Sequence, residues 1–278
     1  MTMKVNNSPK DPYFNANIDR FSGFAKEYDS SRPSIPNVIV DILTQLVGVT
    51  KPRKVVDLGC GTGLSTRVWE KKAYEVIGVE PNDDMHFQAM SHSDGSNIRY
   101  QKGLSVSTGL PDSCADIVTV VEAFHWMEPT ATLKEIVRIL RPGGVFAAID
   151  YDWPPTINLE AENVDVSFEN HAKEILKEIG GDNAAYRWSK NEHLFQIQKS
   201  GLFKFTKEFA VHGIEKGNSD RVIGLALNQS NIQILFKRGI SEEKIGLPAF
   251  RQEIKNTLGK SEILMYFTFR IRLGVKSS

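Results

Sequence analysis

The sequence lacks several features that would assign a chain to a broad class. It has 2 cysteines in 278 residues, too few for a framework of disulfide bonds. It contains no run of about 18 apolar residues, so we expect no membrane-spanning helix. Its first residues are polar and lack the apolar stretch of a secretory signal peptide, and we therefore expect a cytoplasmic protein.

The sequence also lacks an excess of one charge and any motif for metal binding. The 34 basic and 34 acidic residues balance, and no block of like charge indicates a nucleic-acid ligand. The 6 histidines are scattered, and neither Cys-x-x-Cys nor His-Glu-x-x-His occurs, so we expect no metal site. The expected partner is a small molecule, rather than nucleic acid or a membrane, and the oligomeric state is not predicted.

The first half of the sequence contains an alternation of short apolar runs and amphipathic stretches. The apolar runs predict strands at 54–58, 75–79, 97–101, 116–121 and 145–149. The amphipathic stretches predict helices that begin near Leu64 and span 83–91 and 130–140. This alternation is typical of βαβ units, and it predicts an α/β fold with a parallel sheet.

The second half has a different pattern. A helix is predicted at 161–179, and alternation of apolar and polar residues predicts half-buried strands at 203–211 and 265–273. The residues between these two strands look mainly helical, and we interpret them as an inserted cap over the sheet, on the side where a substrate would bind. The expected organisation is a helical leader at 1–50, a cofactor-binding core at 51–150 and the rest of the sheet at 151–278, with the cap at about 213–262.

The most informative feature is a glycine-rich turn at the end of the first predicted strand. Gly59, Gly61 and Gly63 follow Asp57 at alternate positions. Glycine permits positive φ and lets the backbone approach a ligand closely, while the following helix start offers free N–H groups. Taken alone, these glycines also fit a plain tight turn.

Two carboxylates narrow the choice of ligand. Asp57 would crowd a pyrophosphate at this turn, but it suits a ligand with an ammonium and a sulfonium group. Glu80 ends the second predicted strand, where a carboxylate can accept hydrogen bonds from both hydroxyls of a ribose, although it also fits a solvated acid. A dinucleotide-dependent oxidoreductase, which prefers Gly-x-Gly-x-x-Gly, is the main alternative, and a non-catalytic cofactor-binding module is another.

With these motifs, the chain resembles class I S-adenosylmethionine-dependent methyltransferases of the type 11 subgroup, which includes trans-aconitate methyltransferases. The matching motifs are FAKEYDSSRP at 24–33, VVDLGCGTG at 55–63, GVEP at 78–81, GLPD at 109–112, AFHW at 123–126 and LRPGG at 140–144. The resemblance covers residues 20–150 and is poor beyond Trp153. It implies a Rossmann-like fold with a seven-stranded, mostly parallel sheet whose last strand is antiparallel, and S-adenosylmethionine as the cofactor.

The resemblance also implies roles for residues at the methionine end of the cofactor. Gly59, Gly61 and Gly63 would wrap the methionine part, with Asp57 beside its amino group, and Glu122 would lie near the sulfonium. Tyr28 and Arg32 would close over the cofactor, with Arg32 near its carboxylate. Surface packing is an equally good interpretation of Tyr28 and Arg32.

At the nucleoside end, the resemblance implies that Glu80 holds the ribose beside Pro81 and that Met85 packs against adenine. The turn after the third strand often carries an acidic residue in this family. Here it reads Gly103-Leu104-Ser105-Val106, so the backbone of Ser105 and Val106 would have to recognise adenine.

Methyl transfer requires the protein mainly to position the two reactants and to exclude water from them, because the methyl group of a sulfonium is already activated. A base is needed only for a hydroxyl, a protonated amine or a weak carbon acid. His125 follows the fourth strand and is the candidate base, or else only holds a loop. Trp126 is a candidate wall for the acceptor, or else part of the core. A polar residue beside tryptophan also resembles enzymes that methylate carboxylates, so we expect an oxygen acceptor, either a carboxylate or a hydroxyl.

Overall fold

A seven-stranded sheet with the order β3-β2-β1-β4-β5-β7-β6 organises the computed structural model, which describes residues 14–23, 29, 32–92, 97–181 and 186–277. The strands are β1 (Lys54–Leu58), β2 (Glu75–Val79), β3 (Ile98–Gln101), β4 (Ala115–Val121), β5 (Leu140–Tyr151), β6 (Phe203–Gly217) and β7 (Ile263–Lys276). The first five strands pair in parallel, and β7 runs antiparallel to both β5 and β6. The predicted Rossmann-like sheet with an antiparallel last strand is confirmed.

The central strands are buried along nearly their whole length because both faces of the sheet are covered. In β4, every residue from Ala115 to Val120 is buried, and β1 is buried from Val55 onward. A strand buried on both faces needs no polar alternation, which explains why the apolar runs located these strands in the sequence. Residues on the two faces belong to two separate apolar cores.

Helices connect the strands and cover the sheet. They are α1 (Phe14–Asp19), α2 (Asn37–Val47), α3 (Leu64–Arg67), α4 (Asp83–Ser91), α5 (Pro129–Ile139), α6 (Leu159–Glu178), α7 (His193–Lys199), α8 (Ser219–Leu227), α9 (Ser230–Lys237), α10 (Glu242–Ile245) and α11 (Leu247–Leu258). The start of α4 is fixed by Asn82, whose side-chain oxygen accepts a hydrogen bond from the N–H of Met85 at 3.0 Å. No helix of the described ranges is both long and apolar enough to cross a lipid bilayer.

The helix predicted to begin near Leu64 is short, and strands β5 and β6 are longer than the sequence predicts. The helix after the glycine turn, α3, has only 4 residues, because the chain then turns through Lys71, which has a φ of 61°. Strand β5 begins at Leu140 rather than at Val145, with a register shift against β4. Strand β6 continues to Gly217, so the helices between β6 and β7 begin only at Ser219.

The helices between β6 and β7 pack against α6. The rings of Phe168 in α6 and Phe250 in α11 stack with their centroids 4.2 Å apart. Both side chains are buried, as are Ile245, Leu247 and Ile254 around them. This packing fixes the second half of the chain against the sheet, beside the edge where the parallel strands end.

Candidate active site

A cavity lies at the carboxyl ends of the parallel strands, where ligands bind in open α/β sheets. It encloses about 1270 Å³ of space, part of it open to solvent, and we call it the first cavity. Its walls come from the turn after β1, the end of β2 with the start of α4, the loop after β3, the ends of β4 and β5, and α1. Ten predicted site residues line it: Arg32, Gly59, Gly61, Glu80, Pro81, Met85, Ser105, Val106, Glu122 and Trp126.

Three predicted site residues of the described ranges are not part of this lining. Asp57, at the end of β1, and Gly63, in the turn, do not line the first cavity, and His125 faces a second cavity described below. Tyr28 lies outside the described residues.

Asp57 supports the glycine turn from beneath instead of reaching into the cavity. Its carboxylate accepts hydrogen bonds from the hydroxyls of Ser65 at 2.6 Å, Thr66 at 2.7 Å and Thr119 at 2.8 Å. Burial raises the pKa of Asp57, and these three hydroxyl donors oppose that rise. The carboxylate is fully buried, and the predicted contact of Asp57 with the amino group of a ligand stays a prediction.

The three glycines are required for different reasons. Each has a positive φ: 65° at Gly59, 55° at Gly61 and 84° at Gly63. A Cβ atom at Gly59 would lie 2.7 Å from Cε of Met127 and 2.9 Å from Cβ of Ala123, whereas one at Gly63 would overlap the ring of Tyr100. No atom of the described residues lies within 4 Å of a Cβ at Gly61, and the Gly61 N–H donates to Oε2 of Glu80 at 2.9 Å.

Glu80 is a buried carboxylate at the end of β2, only 7% exposed. Its Oε1 accepts from the N–H of Asn82 at 2.8 Å, and Oε2 accepts from Gly61. Burial raises the pKa of Glu80 to about 7, while the two backbone N–H groups lower it. Each oxygen keeps a lone pair for a further donor, so this group fits the two hydroxyls of a ribose.

The far end of the first cavity is apolar, as an adenine ring requires. Met85 is buried at the start of α4 and lies near Pro81 and the loop 103–106 along the wall. The hydroxyls of Ser105 and Thr132 lie 3.0 Å apart, which ties this loop to α5. Ser105 and Val106 both line the cavity, and their contact with adenine stays a prediction.

Helix α1 lies in the predicted helical leader, but no pattern in the sequence predicted that it supplies a wall of the cavity. Asn17 is buried, and its Nδ2 donates to the backbone oxygens of Trp126 and Tyr186, each at 3.0 Å. Phe21 meets the Trp126 ring edge-on, with the centroids 5.9 Å apart. Helix α1 has only 6 residues, too few for a readable periodicity, so its place over the cavity depends on these long-range contacts.

A second cavity of about 650 Å³ adjoins the first. The two share five wall residues, which are Phe21, Arg32, Glu122, Trp126 and Tyr151. The second cavity does not reach the glycine turn. Its remaining walls are mostly polar and include His125, Glu169, Arg187 and Lys190.

Glu122 lies at the boundary between the cavities, in a left-handed conformation with a φ of 51°. Both of its carboxylate oxygens lie 2.7 Å from Nζ of Lys190, and Oε1 also accepts from the N–H of Tyr151 at 2.8 Å. Arg32 donates through Nη2 to the backbone oxygen of Asn228 at 2.9 Å and also contacts the Tyr151 hydroxyl. These polar contacts hold the shared wall in place.

His125 and Trp126 form a 3₁₀ turn after β4, and both face the second cavity. Burial lowers the pKa of His125 to about 3, although the neighbouring Asp150 carboxylate favours the protonated ring. The imidazole is therefore neutral at pH 7 and a weak base. The Trp126 ring lies between two cations, with Cζ of Arg20 4.6 Å and Cζ of Arg187 5.5 Å from its centroid.

Sequence comparison places the middle of the chain in a known family. Residues 56–148 match the family described as "Methyltransferase domain", type 11. A probable S-adenosylmethionine-dependent methyltransferase of Saccharomyces cerevisiae is 30% identical over 192 residues, which cover 63% of this chain and 64% of that protein. An uncharacterized methyltransferase of Mycobacterium tuberculosis is 33% identical over 125 residues, 45% of this chain and 49% of the relative. The chain thus spans between half and two thirds of these relatives.

Solved structures share the fold at low sequence identity. A candidate type II methyltransferase from Anaeromyxobacter dehalogenans superposes with a TM-score of 0.65 at 20% identity, over 88% of this chain and 97% of that one. A phosphoethanolamine N-methyltransferase from Haemonchus contortus, solved with S-adenosylhomocysteine, gives 0.54 at 17% identity, over 95% of this chain and 61% of that one. Residues 56–148 therefore match the methyltransferase domain of the type 11 family, to which an S-adenosylmethionine-dependent relative also points, and the chain shares the fold of solved methyltransferases.

Proposed function

We propose that this chain transfers a methyl group from S-adenosylmethionine in the first cavity to an oxygen of a small molecule in the second cavity. The observation that carries the proposal is the boundary that the two cavities share at Glu122, Trp126 and Tyr151. The first cavity has the glycine turn and the ribose carboxylate, whereas the second has mostly polar walls without either. This division separates a cofactor space from an acceptor space.

The residues at the boundary contribute positioning and the exclusion of water. S-adenosylmethionine, when bound, supplies a methyl carbon that bonds to the acceptor oxygen while its bond to sulfur breaks and the electron pair stays on sulfur. Phe21, Trp126 and Tyr151 provide aromatic walls on both sides of the boundary. Such walls remove water from the reacting oxygen and orient it, which accounts for much of the rate enhancement in a displacement of this kind.

We infer that the acceptor oxygen belongs to a carboxylate. Within the described residues, Glu122 pairs with Lys190 and Glu169 pairs with Lys173, whereas Arg187 has no ion pair. Arg187 lies at the wall of the second cavity, beside Trp126. A guanidinium in this position suits a carboxylate, which arrives already ionised at neutral pH. Such an acceptor needs no base, in agreement with the low pKa of His125.

The test is the chemical stability of the product. The protein is incubated with S-adenosylmethionine that carries tritium in its methyl group, together with a panel of carboxylic acids, alcohols and phenols. We expect labelled products that release volatile methanol in alkali, as methyl esters do. Transfer only to products that keep the label in alkali, as ethers and methylamines do, contradicts the carboxylate acceptor.

A variant pair links this activity to Arg187. Arg187→Gln is expected to raise KM for the acceptor about tenfold or more with a smaller change in kcat, because a charge-assisted hydrogen bond contributes about 1.5–3 kcal/mol. Arg251→Gln removes a surface guanidinium that pairs with Glu242, and it is expected to leave both constants unchanged. Equal kinetics for the two variants would exclude Arg187 from acceptor binding.

A further inference from the structure

Four side chains lie around Asp150, the second-last residue of β5, and three of these four are buried. Oδ2 of Asp150 lies 2.9 Å from Nδ1 of His193 and 3.1 Å from Nη1 of Arg272. Oδ1 lies 3.5 Å from Nδ1 of His125 and 3.7 Å from Nζ of Lys190. Asp150, His125, His193 and Arg272 are each at most 3% exposed, so water plays little part in this group.

The surroundings of Asp150 keep it ionised. Burial alone would raise the pKa of its carboxyl, but the facing His125, His193 and Lys190 hold it well below its usual range. An ionised carboxylate accepts hydrogen bonds and donates none. A histidine nitrogen that faces it at short range must therefore carry a proton.

This requirement selects one form of His125. Nδ1 of His125 and Oδ1 of Asp150 are both buried without a hydrogen-bond partner of standard geometry among the described residues, and they face each other at 3.5 Å. The ring is neutral, and a proton on Nδ1 leaves Nε2 with a lone pair. The two nitrogens of an imidazole point in nearly opposite directions, so Nε2 is directed away from Asp150. The ring lines the second cavity, and its backbone oxygen is held by the N–H of Trp188 at 2.9 Å.

We propose that Asp150 is a positioning residue, which holds His125 in the tautomer with its proton on Nδ1 and so presents Nε2 to the second cavity as a hydrogen-bond acceptor. This inference rests on the proposed function, because it adds a second requirement to the same acceptor. The small molecule must bring a donor to Nε2 in addition to the carboxylate that Arg187 binds. A hydroxyl group meets this requirement, which makes the substrate class a hydroxycarboxylic acid.

The pairing also accounts for the location of His193. His193 is fully buried, and its ring lies nearly parallel to that of His125, at an angle of 13° with 6.2 Å between centroids. Oδ2 of Asp150 contacts His193 and Arg272, which leaves Oδ1 to face His125 and Lys190. His193 therefore fixes the orientation of the carboxylate, and Asp150 in turn fixes His125.

The tautomer is measured directly by nitrogen NMR of protein labelled with ¹⁵N at its histidine rings. Spectra of His125→Gln and His193→Gln identify the two signals. We expect a protonated Nδ1 and an unprotonated Nε2 for His125 in the unaltered protein. A His125 ring that is protonated on Nε2, or on both nitrogens, at neutral pH overturns the proposal, whether or not any methyl ester has been found.

A matched pair of variants tests the part played by Asp150. Asp150→Asn offers an amide in place of the carboxylate and is expected to shift His125 toward the tautomer with its proton on Nε2. Asp152→Asn changes an acid two residues further on, which is half-exposed and pairs with Arg270, and is expected to leave the His125 signals unchanged. An unchanged His125 spectrum in a folded Asp150→Asn protein overturns the role of Asp150, and if that variant does not fold, the unaltered protein still decides the tautomer.

The substrate class is tested with pairs of carboxylic acids that differ only by a hydroxyl at C2 or C3. We expect the hydroxylated member of at least one pair to be methylated with a kcat/KM about tenfold higher or more. The acid that lacks the hydroxyl group leaves Nε2 of His125 without a hydrogen-bond donor. His125→Phe is expected to remove this preference. Ester formation with no preference in any pair, or a preference that survives in His125→Phe, overturns the hydroxy acid while leaving the carboxylate acceptor and the tautomer result intact.

Discussion

Nζ of Lys190 lies 2.7 Å from both carboxylate oxygens of Glu122, and this ion pair forms part of the wall between the two cavities. Glu122 comes directly after β4, whereas Lys190 lies between α6 and α7 in the second half of the chain. The pair therefore connects the first half of the chain with the second half, which supplies most of the remaining walls of the second cavity. Its side chains are only 13% and 23% exposed, so the charges are largely removed from water.

Lys190→Met is expected to lower the free energy of unfolding by about 2 kcal/mol, because it leaves the Glu122 carboxylate partly buried without its cation. Urea unfolding measures the loss, and the double variant with Glu122→Gln should lose less than the sum of the two single changes. The control is Lys216→Met, which removes an exposed pair with Glu262 and should cost less than about 0.5 kcal/mol. Equal losses in the two lysine variants would contradict a structural role for the pair.

Binding of S-adenosylhomocysteine is expected to weaken below neutral pH. Glu80 has a pKa of about 7 before ligand binds. The ionised Glu80 carboxylate is expected to accept hydrogen bonds from both ribose hydroxyls. Ligand binding therefore favours deprotonation of Glu80, and the affinity for S-adenosylhomocysteine falls as the pH drops through 7. Calorimetry should show affinity about tenfold weaker at pH 6 than at pH 8, since protonation competes by a factor of ten per pH unit.

The control for this pH effect is Glu80→Gln. It has no proton to exchange, so its weaker binding should vary much less over the same range. A pH profile that is the same in both proteins would mean that another group is responsible.

Asp57→Asn is expected to weaken both the fold and cofactor binding. The three hydroxyls that donate to Asp57 would face an amide that cannot accept from all of them, with a loss of about 3 kcal/mol in unfolding free energy. Because these hydroxyls hold the turn, affinity for S-adenosylhomocysteine should fall as well. Asp116→Asn is the control: Asp116 accepts the N–H groups of Arg53 and Lys54 at the opposite edge of the sheet. It should lose stability but bind normally when folded.

Gly59→Ala is expected to reduce affinity for S-adenosylhomocysteine by about tenfold or more. The added Cβ would approach Met127 and Ala123 to within 3 Å, which moves the wall of the first cavity. Gly48→Ala is a matched control, because Gly48 also has a positive φ, of 75°, but has no atom within 4 Å of the added Cβ. It should cost about 1 kcal/mol in stability and leave affinity unchanged. Similar affinities for the two variants would contradict the close packing at Gly59.

The parallel strands and the turn between β1 and α3 could be predicted from the sequence because their signals are local. A strand buried on both faces is rich in apolar residues, which is why Lys54–Leu58 and Glu75–Val79 agree with the predicted bounds. Gly59 and Gly61 signal a positive φ by residue type alone. Glu80 was identified by its position at the end of a strand, and the structure adds its burial and its backbone donors.

The direction of Asp57 could not be predicted, because a side chain at the end of a strand can face a cavity or the turn beside it. Its direction is decided by hydroxyls at positions 65, 66 and 119, and the last of these lies on another strand. Helix α1 is similar: its short sequence carries no pattern, and Asn17 contacts residues more than 100 positions away.

The sequence by itself determined the fold class, the order of the central strands and the glycine turn with Glu80 beside it, since apolar runs, glycines and strand ends are local properties. Only the tertiary structure decided what surrounds the acceptor space. Asp150, His193 and Arg272 lie on β5, α7 and β7, and their side chains meet because β7 pairs with β5 and α7 packs beside them. A buried cluster of charged residues leaves no pattern in the local sequence. Its members come from distant positions, and each is stabilised away from water by pairing with the others.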